Sequence, residues 1–213
     1  MKFETVLFDF DGTLANTLPL TIHGMQAVFE KYDQRILDGP GIIAMFGPTE
    51  DGMIADNFQH QHAINEAIQF YYTIYARDHQ EYVGQNPQIN NLLSELRKRD
   101  IVTGVITGKS RRAYALSEKA LGFENLFDSV VTGDDVAEPK PNPEGIIKTI
   151  EKFHANPETT IYIGDSNWDV MAGQAAGIHT AAVQWLEMAQ SSEYPANPDY
   201  LWHDVDEMIR LLE

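Results

Sequence analysis

The chain has 213 residues, of which 43% are hydrophobic, enough for one domain or for a domain with a smaller insert. Its formal net charge of −17 would repel nucleic acid and anionic membranes, which bind through clustered Lys and Arg, so neither is an expected partner. The absence of cysteine excludes disulfides and cysteine-ligated metals, and the lack of a membrane-spanning run or signal peptide fits a cytoplasmic protein.

The N-terminal region predicts a short strand followed by a long helical stretch. Residues 5–10 form an apolar β-type run that leads into the turn sequence Asp11-Gly12-Thr13. From about Thr17 to Asp78 apolar residues recur at helical spacing, and no convincing strand pattern interrupts them. Gly39-Pro40-Gly41 and Gly47-Pro48 break this helical insert into pieces.

After about residue 82 the pattern changes to strands and helices in alternation. Strands are predicted over residues 101–107, 128–132, 160–164 and 178–184. Helices are predicted over residues 87–99, 110–121, 143–154, 168–176 and 204–212. Such alternation predicts an α/β fold, in which a parallel sheet carries helices on both faces. Ligands of these folds bind at the carboxyl ends of the strands, so the residues there are the candidates for a site.

Polar side chains of a consistent kind follow four of the predicted strands. Asp9 and Asp11 end the first strand, two residues apart, where their side chains can point to the same side. The other three strands are followed by Thr107 and Gly108, by Lys140, and by Asp165 with Asp169. All of these residues are expected at one edge of one sheet.

The acids in this set fit phosphoryl transfer. Asp9 can attack phosphorus as a carboxylate and form an acyl-phosphate. Asp11 can protonate the leaving oxygen and later deprotonate the attacking water. A cluster of acids needs a cation, and oxygen ligands favour Mg²⁺, with Asp9 and Asp165 as the expected side-chain ligands.

The remaining residues are predicted to bind the phosphoryl group or to order the site. Thr107 and the backbone amide of Gly108 can donate hydrogen bonds to its oxygens. Lys140 supplies a positive charge that offsets the nucleophile and stabilises the transferring group. Asp169 lies one helical turn after Asp165, and we expect it to orient Lys140 or a metal-bound water.

These residues resemble the four motifs of the haloacid dehalogenase-like (HAD) superfamily. Phe8-Asp9-Phe10-Asp11-Gly12-Thr13-Leu14 resembles the first motif, DxDGT, and Gly164-Asp165-Ser166-Asn167-Trp168-Asp169 resembles the fourth, GDSxxD. Thr107 and Lys140 match the second and third motifs in order and spacing, so the resemblance covers essentially the whole chain. It implies a Rossmann-like sheet, a metal site completed by the backbone carbonyl of Asp11, and an α-helical cap that closes over the substrate.

The resemblance also implies a domain organisation and an activity. Residues 1–15 and 83–213 would form the Rossmann-like catalytic core, and residues 16–82 the helical cap domain. Phe46-Gly47-Pro48-Thr49 and Ala182-Val183-Gln184-Trp185 are similar to the phosphoglycolate phosphatase and pyrophosphatase branch. The implied enzyme is a Mg²⁺-dependent phosphatase acting on a small phosphorylated metabolite, as a monomer or homodimer.

Particular residues argue against other activities of the superfamily. Asp11 disfavours dehalogenation, because a halide leaving group needs no acid. No Lys or Arg lies between Arg35 and Arg77, which disfavours phosphonate hydrolysis through a cap Schiff base and weakens a sugar-phosphate mutase. A mutase or other phosphotransferase stays open as the alternative. A binding-only relic is the non-enzyme alternative, although such a relic would be expected to lose Asp9 or Lys140.

Overall fold

The computed structural model describes residues 3–212 and contains a six-stranded parallel sheet. Its strands are β1 (Thr5–Phe8), β2 (Val102–Ile106), β3 (Ser129–Val131), β4 (Thr160–Gly164), β5 (His179–Val183) and β6 (Tyr200–Trp202). Their order across the sheet is β3-β2-β1-β4-β5-β6, and each neighbouring pair is parallel. The first strand in sequence therefore lies near the centre, between β2 and β4.

Helices connect the strands, except that β5 and β6 are joined by the irregular segment 184–199. They are α1 (Leu18–Asp33), α2 (Gly39–Ile43), α3 (Glu50–Asn57), α4 (Ile64–Tyr82), α5 (Pro87–Lys98), α6 (Arg111–Leu121), α7 (Glu144–Phe153), α8 (Asn167–Ala175) and α9 (Val205–Leu211). Short 3₁₀ turns occur at Gln61–Ala63, Gly133–Asp135 and Pro157–Thr159. Between residues 3 and 212, no helix is both long and apolar enough to cross a membrane.

The sheet is covered by helices on both faces because successive strand residues point to opposite sides. Val6 and Phe8 of β1 pack into the larger apolar cluster, which also holds buried residues of α5, α6 and α9. Leu7 packs into a smaller cluster on the opposite face, together with Ile146 of α7 and Ala172 of α8.

Residues 17–82, called the helical insert below, contain helices α1 to α4 and lie between β1 and α5. Asp38 and Thr49 begin α2 and α3 as N-caps, since their side chains accept hydrogen bonds from the backbone amides three residues later. Helix α1 packs along α4, and Gly24 permits a close approach, because a Cβ there would lie 2.8 Å from the Tyr71 ring. Phe29 and Tyr71 belong to the same apolar cluster as β1, so the insert and the sheet share one core.

The predicted α/β architecture is confirmed, and each strand and helix predicted after residue 82 lies within one residue of its observed bounds. Two predictions need correction. The first strand ends at Phe8 rather than at residue 10, because the Phe10 carbonyl already accepts the amides of Leu14 and Ala15 in a turn. Strand β6 was not predicted, because its three residues are mostly exposed or half-buried and show no apolar strand pattern. The division into a core and a cap at residues 16–82 stays a prediction.

Candidate active site

Three acids meet at the carboxyl edge of the sheet. Asp9 directly follows β1 and Asp165 directly follows β4, two strands that are neighbours in the sheet. Asp169, in the first turn of α8, joins them, so that one carboxylate oxygen from each lies within 4.8 Å of the other two. All three side chains are buried. The structure therefore brings together three of the acids that the sequence singled out.

A glycine allows the first two of these acids to approach. Gly12 has a φ of +76°, and a Cβ at this position would lie 2.2 Å from Oδ2 of Asp165. Any other residue would push the Asp11-Gly12-Thr13 turn away from the end of β4. The turn sequence noted in the first motif is therefore required by the packing of Asp165 against it.

Burial makes this arrangement costly for negative charge. It raises the pKa of Asp9 to about 7, and the charges of Asp169 and Asp11 act in the same direction. Burial, together with the charge of Asp9, raises the pKa of Asp165 well above its usual range. Carboxylates removed from water destabilise one another when ionised, so this cluster requires nearby positive charge.

Lys140 supplies part of that charge. Its Nζ lies 3.0 Å from Oδ1 of Asp9 and 2.5 Å from Oδ1 of Asp169. Burial alone would lower the pKa of Lys140, but the charges of Asp169 and Asp9 raise it above its usual range. The hydroxyl of Tyr162 lies beneath this ion pair, 3.0 Å from Oδ1 of Asp169 and 2.7 Å from the carbonyl oxygen of Ile106. The ammonium of Lys140 is therefore held directly beside the predicted nucleophile.

The carboxylate of Asp169 is fully engaged by protein groups. Its Oδ2 accepts hydrogen bonds from the backbone amide of Ser166 at 3.0 Å and from the hydroxyl of Ser166 at 2.5 Å. Its Oδ1 contacts Lys140 and Tyr162. This contact with Lys140 is one of the two that the sequence predicts for Asp169, the other being a metal-bound water, and the function of Asp169 in orienting Lys140 stays a prediction.

The side chain of Asp11 borders the same cavity as Asp9 but does not belong to the group of three acids. Its Oδ1 accepts hydrogen bonds from Nζ of Lys109, at 2.9 Å, and from the hydroxyl of Thr17. The Lys109 ammonium also lies 3.1 Å from Oε1 of Glu50, which belongs to the helical insert. Burial alone would lower the pKa of Lys109, but the charges of Asp11 and Glu50 raise it well above its usual range.

A cavity of about 80 Å³ is bordered by this edge of the sheet and by the helical insert. The sheet side contributes five of the predicted residues: Asp9, Asp11, Thr107, Gly108 and Lys140. The insert contributes mainly apolar groups, including Leu18, Phe46 and Met53. Asp165 and Asp169 do not border the cavity among the described residues, and Asp169 supports Lys140 beside it.

The acid cluster has the chemistry of a site for a hard divalent cation such as Mg²⁺. Three carboxylates and the ammonium of Lys140 leave two negative charges uncompensated among these buried groups. Within residues 3–212, Oδ1 of Asp9 is buried without a well-directed hydrogen bond, whereas both oxygens of Asp169 are engaged. Both oxygens of Asp165 also accept hydrogen bonds, from Thr13 and Gln190, so Asp9 is the acid of this cluster with an oxygen left to bind a cation among the described residues, and Asp165 as a ligand stays a prediction. Mg²⁺ itself, and the backbone carbonyl of Asp11 as a further ligand, stay predictions.

Four residues at the site received no function in the sequence analysis: Glu50, Lys109, Tyr162 and Gln190. Only Lys109 carried a local signal, because it lies two residues after Thr107 at the end of a predicted strand. Gln190 approaches from the loop after β5, where its backbone amide donates to Oδ2 of Asp165 at 2.6 Å. Nothing in the sequence near Glu50, Tyr162 or Gln190 indicates which distant residues they contact.

Comparison with known proteins shows to which family this chain belongs. The sequence profile of the haloacid dehalogenase-like hydrolases matches residues 6–183. Among curated proteins, pyrophosphatase PpaX of Bacillus mycoides (strain KBAB4) is 32% identical over 214 residues, which covers 100% of this chain and 98% of the relative.

Solved structures show the same fold. CbbY from Rhodobacter sphaeroides in complex with phosphate superposes with a TM-score of 0.84 at 23% identity, covering 97% of this chain and 96% of that one. A protein described as a predicted phosphoglycolate phosphatase from Haemophilus somnus 129PT gives a TM-score of 0.85 at 18% identity, covering 100% and 99% of the two chains. At these identities the likeness establishes the architecture alone.

Proposed function

The chain belongs to the haloacid dehalogenase-like hydrolase family and is an enzyme of its phosphatase class; on this premise we propose that it hydrolyses a small phosphorylated metabolite through an aspartyl-phosphate on Asp9. One observation carries this proposal. Asp9 borders the cavity, and its Oδ1 lies 3.0 Å from the ammonium of Lys140. Because Oδ1 is buried against the protein, the other carboxylate oxygen of Asp9 is the one that can attack a phosphorus atom in the cavity.

The first step forms the covalent intermediate. A carboxylate oxygen of Asp9 forms a bond to phosphorus as the bond to the leaving oxygen breaks, and Asp11 gives a proton to that oxygen. Thr107 and the backbone amide of Gly108 border the cavity and donate hydrogen bonds to the phosphoryl oxygens. Lys140, held by Asp169, balances the negative charge of the transferring group.

The second step releases phosphate. Asp11, now deprotonated, takes a proton from a water molecule whose oxygen attacks phosphorus, and the bond from phosphorus to Asp9 breaks. Asp9 and Asp165, with the backbone carbonyl of Asp11, would hold a Mg²⁺ ion. When bound, the ion would neutralise buried carboxylates and polarise a phosphoryl oxygen. The family relationship and the uncompensated charge of the acid cluster support this assignment.

The cavity supports a substrate with a small leaving group. Its volume of about 80 Å³ holds roughly five to eight water molecules at ~10–15 Å³ each. Both Lys residues that border it in the described chain, Lys109 and Lys140, come from the sheet side, so the insert offers no cation to grip a distant second phosphate. This favours hydrolysis over a mutase reaction on a sugar bisphosphate. Pyrophosphate, the substrate named for the curated relative, and phosphoglycolate are the first candidates.

A phosphate-release assay with 4-nitrophenyl phosphate, pyrophosphate and phosphoglycolate tests this proposal. We expect release with Mg²⁺, its loss with EDTA, and a loss of at least about 10³-fold in Asp9→Asn, because an amide is too weak a nucleophile to replace the carboxylate. The isosteric amide also removes a charge from the buried cluster, so the variant is expected to stay folded.

Asp206→Asn is the matched control, because Asp206 is an exposed acid in α9 that does not border the cavity. It should retain wild-type activity. Substantial turnover by a folded Asp9→Asn variant would contradict the covalent mechanism. Undiminished turnover in EDTA would contradict only the requirement for a metal.

A further inference from the structure

A buried cation connects Asp11 to the helical insert. Lys109 lies at the end of β2, and its side chain is only 1% exposed. Its Nζ lies 2.9 Å from Oδ1 and 3.2 Å from Oδ2 of Asp11. On its other side the same Nζ lies 3.1 Å from Oε1 of Glu50. One ammonium group therefore bridges a carboxylate of the sheet edge and a carboxylate of the insert.

Glu50 is held in place by more than this ion pair. It is the first residue of α3, and its side chain is 4% exposed. Its second oxygen, Oε2, accepts a hydrogen bond of 2.8 Å from the backbone amide of Ser110, the residue after Lys109. Both oxygens of Glu50 thus contact the loop that follows β2, and the hydrogen bond fixes the carboxylate relative to Lys109.

Thr17 restrains Asp11 from a second direction. This residue precedes α1, and its hydroxyl donates to Oδ1 of Asp11. Hydrogen bonds from two groups define the orientation of a carboxylate much better than one does, and each partner is itself buried. The position of the Asp11 carboxylate therefore depends on groups of the insert at two points: directly through Thr17 and indirectly through Glu50 and Lys109.

We propose that Glu50 and Lys109 are positioning residues for Asp11, which make the orientation of the proton donor depend on the seating of α3 against the loop after β2. This inference rests on the proposed function of Asp11 as general acid. Without the charge of Glu50, Lys109 loses one of its two carboxylate partners and is free to shift with Asp11. A displacement of about 1 Å at a reacting group can cost as much as 10²-fold in rate.

The dependence of the rate on the leaving group separates this function from simple structural support. Phenyl phosphate and 4-nitrophenyl phosphate have the same ring, but phenolate is the poorer leaving group and needs the proton of the general acid more. The ratio of kcat/KM for 4-nitrophenyl phosphate to that for phenyl phosphate therefore measures how well Asp11 delivers its proton. Because kcat/KM includes steps only up to the first irreversible one, hydrolysis of the aspartyl-phosphate does not enter the ratio.

The structure supplies variants with a matched control. Glu50→Gln is isosteric and should raise the ratio about 10-fold. Lys109→Met should raise it at least as much, and Lys109→Arg should restore it in part because the charge returns. Asp56→Asn, which removes a charge from an exposed position of the same helix α3, should leave the ratio unchanged, because Asp56 faces solvent instead of Lys109.

Asp11→Asn, measured in the same way, separates the acid function of Asp11 from the positioning of Asp11 by Glu50 and Lys109. A raised ratio in Asp11→Asn with an unchanged ratio in Glu50→Gln and Lys109→Met would overturn the inference and leave the proposed function intact. Equal losses on both substrates in Glu50→Gln would also overturn it, because they indicate structural support alone. An unchanged ratio in Asp11→Asn would instead contradict the proposed acid function of Asp11.

Discussion

Asp9, Asp165 and Asp169 place three carboxylates within 4.8 Å of one another, out of contact with water. Lys140 compensates one of the three charges through contacts of 3.0 Å with Asp9 and 2.5 Å with Asp169. The remaining repulsion destabilises the protein whenever all three acids are ionised and no cation is bound. The same repulsion becomes binding free energy for a divalent cation, because the ion relieves it.

The repulsion among these carboxylates predicts that Asp165→Asn has opposite effects on the melting temperature with and without Mg²⁺. In EDTA the variant should melt at the same temperature as the wild type or higher, because it removes one of the mutually repelling charges. Saturating Mg²⁺ should raise the melting temperature of the wild type by about 5–10 °C at a hundredfold excess over its dissociation constant. The melting temperature of the variant should barely respond. Differential scanning calorimetry measures both quantities without reference to activity.

Asp206→Asn again serves as the control and should respond to Mg²⁺ as the wild type does. A wild type whose melting temperature is unaffected by Mg²⁺ would show that the acid cluster does not bind the ion. An undiminished response in Asp165→Asn would exclude Asp165 as a ligand.

The sequence predicts which residues lie at strand ends better than it predicts which residues contact them in space. Asp9 and Lys140 were singled out because each follows a predicted strand and has a side chain suited to phosphoryl transfer. Tyr162 lies inside β4, where its residue type is typical of a buried strand, and only the fold brings its hydroxyl to Asp169. Glu50 reaches Lys109 only because the start of α3 lies against the loop after β2, a tertiary contact that no local pattern encodes.

At the C-terminal end of α1, hydrogen bonds to one buried carboxylate stabilise the helical insert. Asp33, the last residue of α1, is buried, and its Oδ1 accepts hydrogen bonds of 2.9 Å from the backbone amides of Gln59 and His60. Its Oδ2 accepts one of 2.6 Å from Nε of Arg35. Burial raises the pKa of Asp33, but the hydrogen bonds from His60, Arg35 and Gln59 outweigh it, so the pKa lies below its ordinary value of 3.8.

Asp33→Asn should therefore destabilise the protein by ~1–3 kcal/mol at neutral pH, since it weakens several hydrogen bonds to a buried anion. A carboxylate with a lowered pKa in the folded state stabilises that state above its unfolded pKa. The difference in unfolding free energy between wild type and variant should thus be largest above about pH 4 and vanish as pH falls through the folded pKa of Asp33. Urea denaturation of both proteins across this range measures it.

His60 and Arg35 are the titratable and charged groups that face Asp33, through contacts of 3.0 Å and 2.6 Å. The variant His60→Gln therefore accompanies the measurement and separates the titration of His60 from that of Asp33. Asp56→Asn, at an exposed acid of α3, should cost less than about 0.5 kcal/mol. A difference for Asp33→Asn that grows as pH falls from 4 would contradict the assigned direction of the pKa.

Strands with an apolar run could be predicted from the sequence, even the three-residue β3, and a strand without such a run could not. The five residues of β4 form a nearly continuous apolar run, and this run predicted where the strand begins and ends. In β6, Tyr200 and Leu201 are partly exposed at the edge of the sheet, and no apolar alternation marks the strand. Its existence depends on pairing with β5, which is a tertiary contact.

At the scale of the whole molecule, the charge distribution sets a constraint on the substrate. The chain has a net charge of −17, yet the cavity is bordered by the ammonium groups of Lys109 and Lys140. An anionic substrate must therefore be attracted by these local charges and by a bound cation, against the field of the surrounding surface. The architecture places all of them at one sheet edge, because the parallel strands β1, β2, β3 and β4 all end there.

The parallel sheet with helices on both faces was predictable, because alternating strand and helix patterns permit few other arrangements. The order of the strands was not, because it depends on which helices cross over which face. The sequence pattern also could not predict where the helical insert packs against the sheet. Phe29 and Tyr71 read as an apolar helix face, and only the structure shows that they join the core that covers β1.

The proposed mechanism requires that Asp9 becomes phosphorylated during turnover, and peptide mapping after a rapid acid quench can detect this modification. The enzyme is mixed with the best substrate of the panel and Mg²⁺, quenched in acid within the first turnover, digested and analysed by mass spectrometry. We predict that the peptide containing Asp9 gains the mass of one phosphoryl group, that mild base removes it, and that Asp9→Asn never acquires it. Active enzyme whose Asp9 peptide stays unmodified under these conditions, or a phosphoryl group on another residue, would contradict the account.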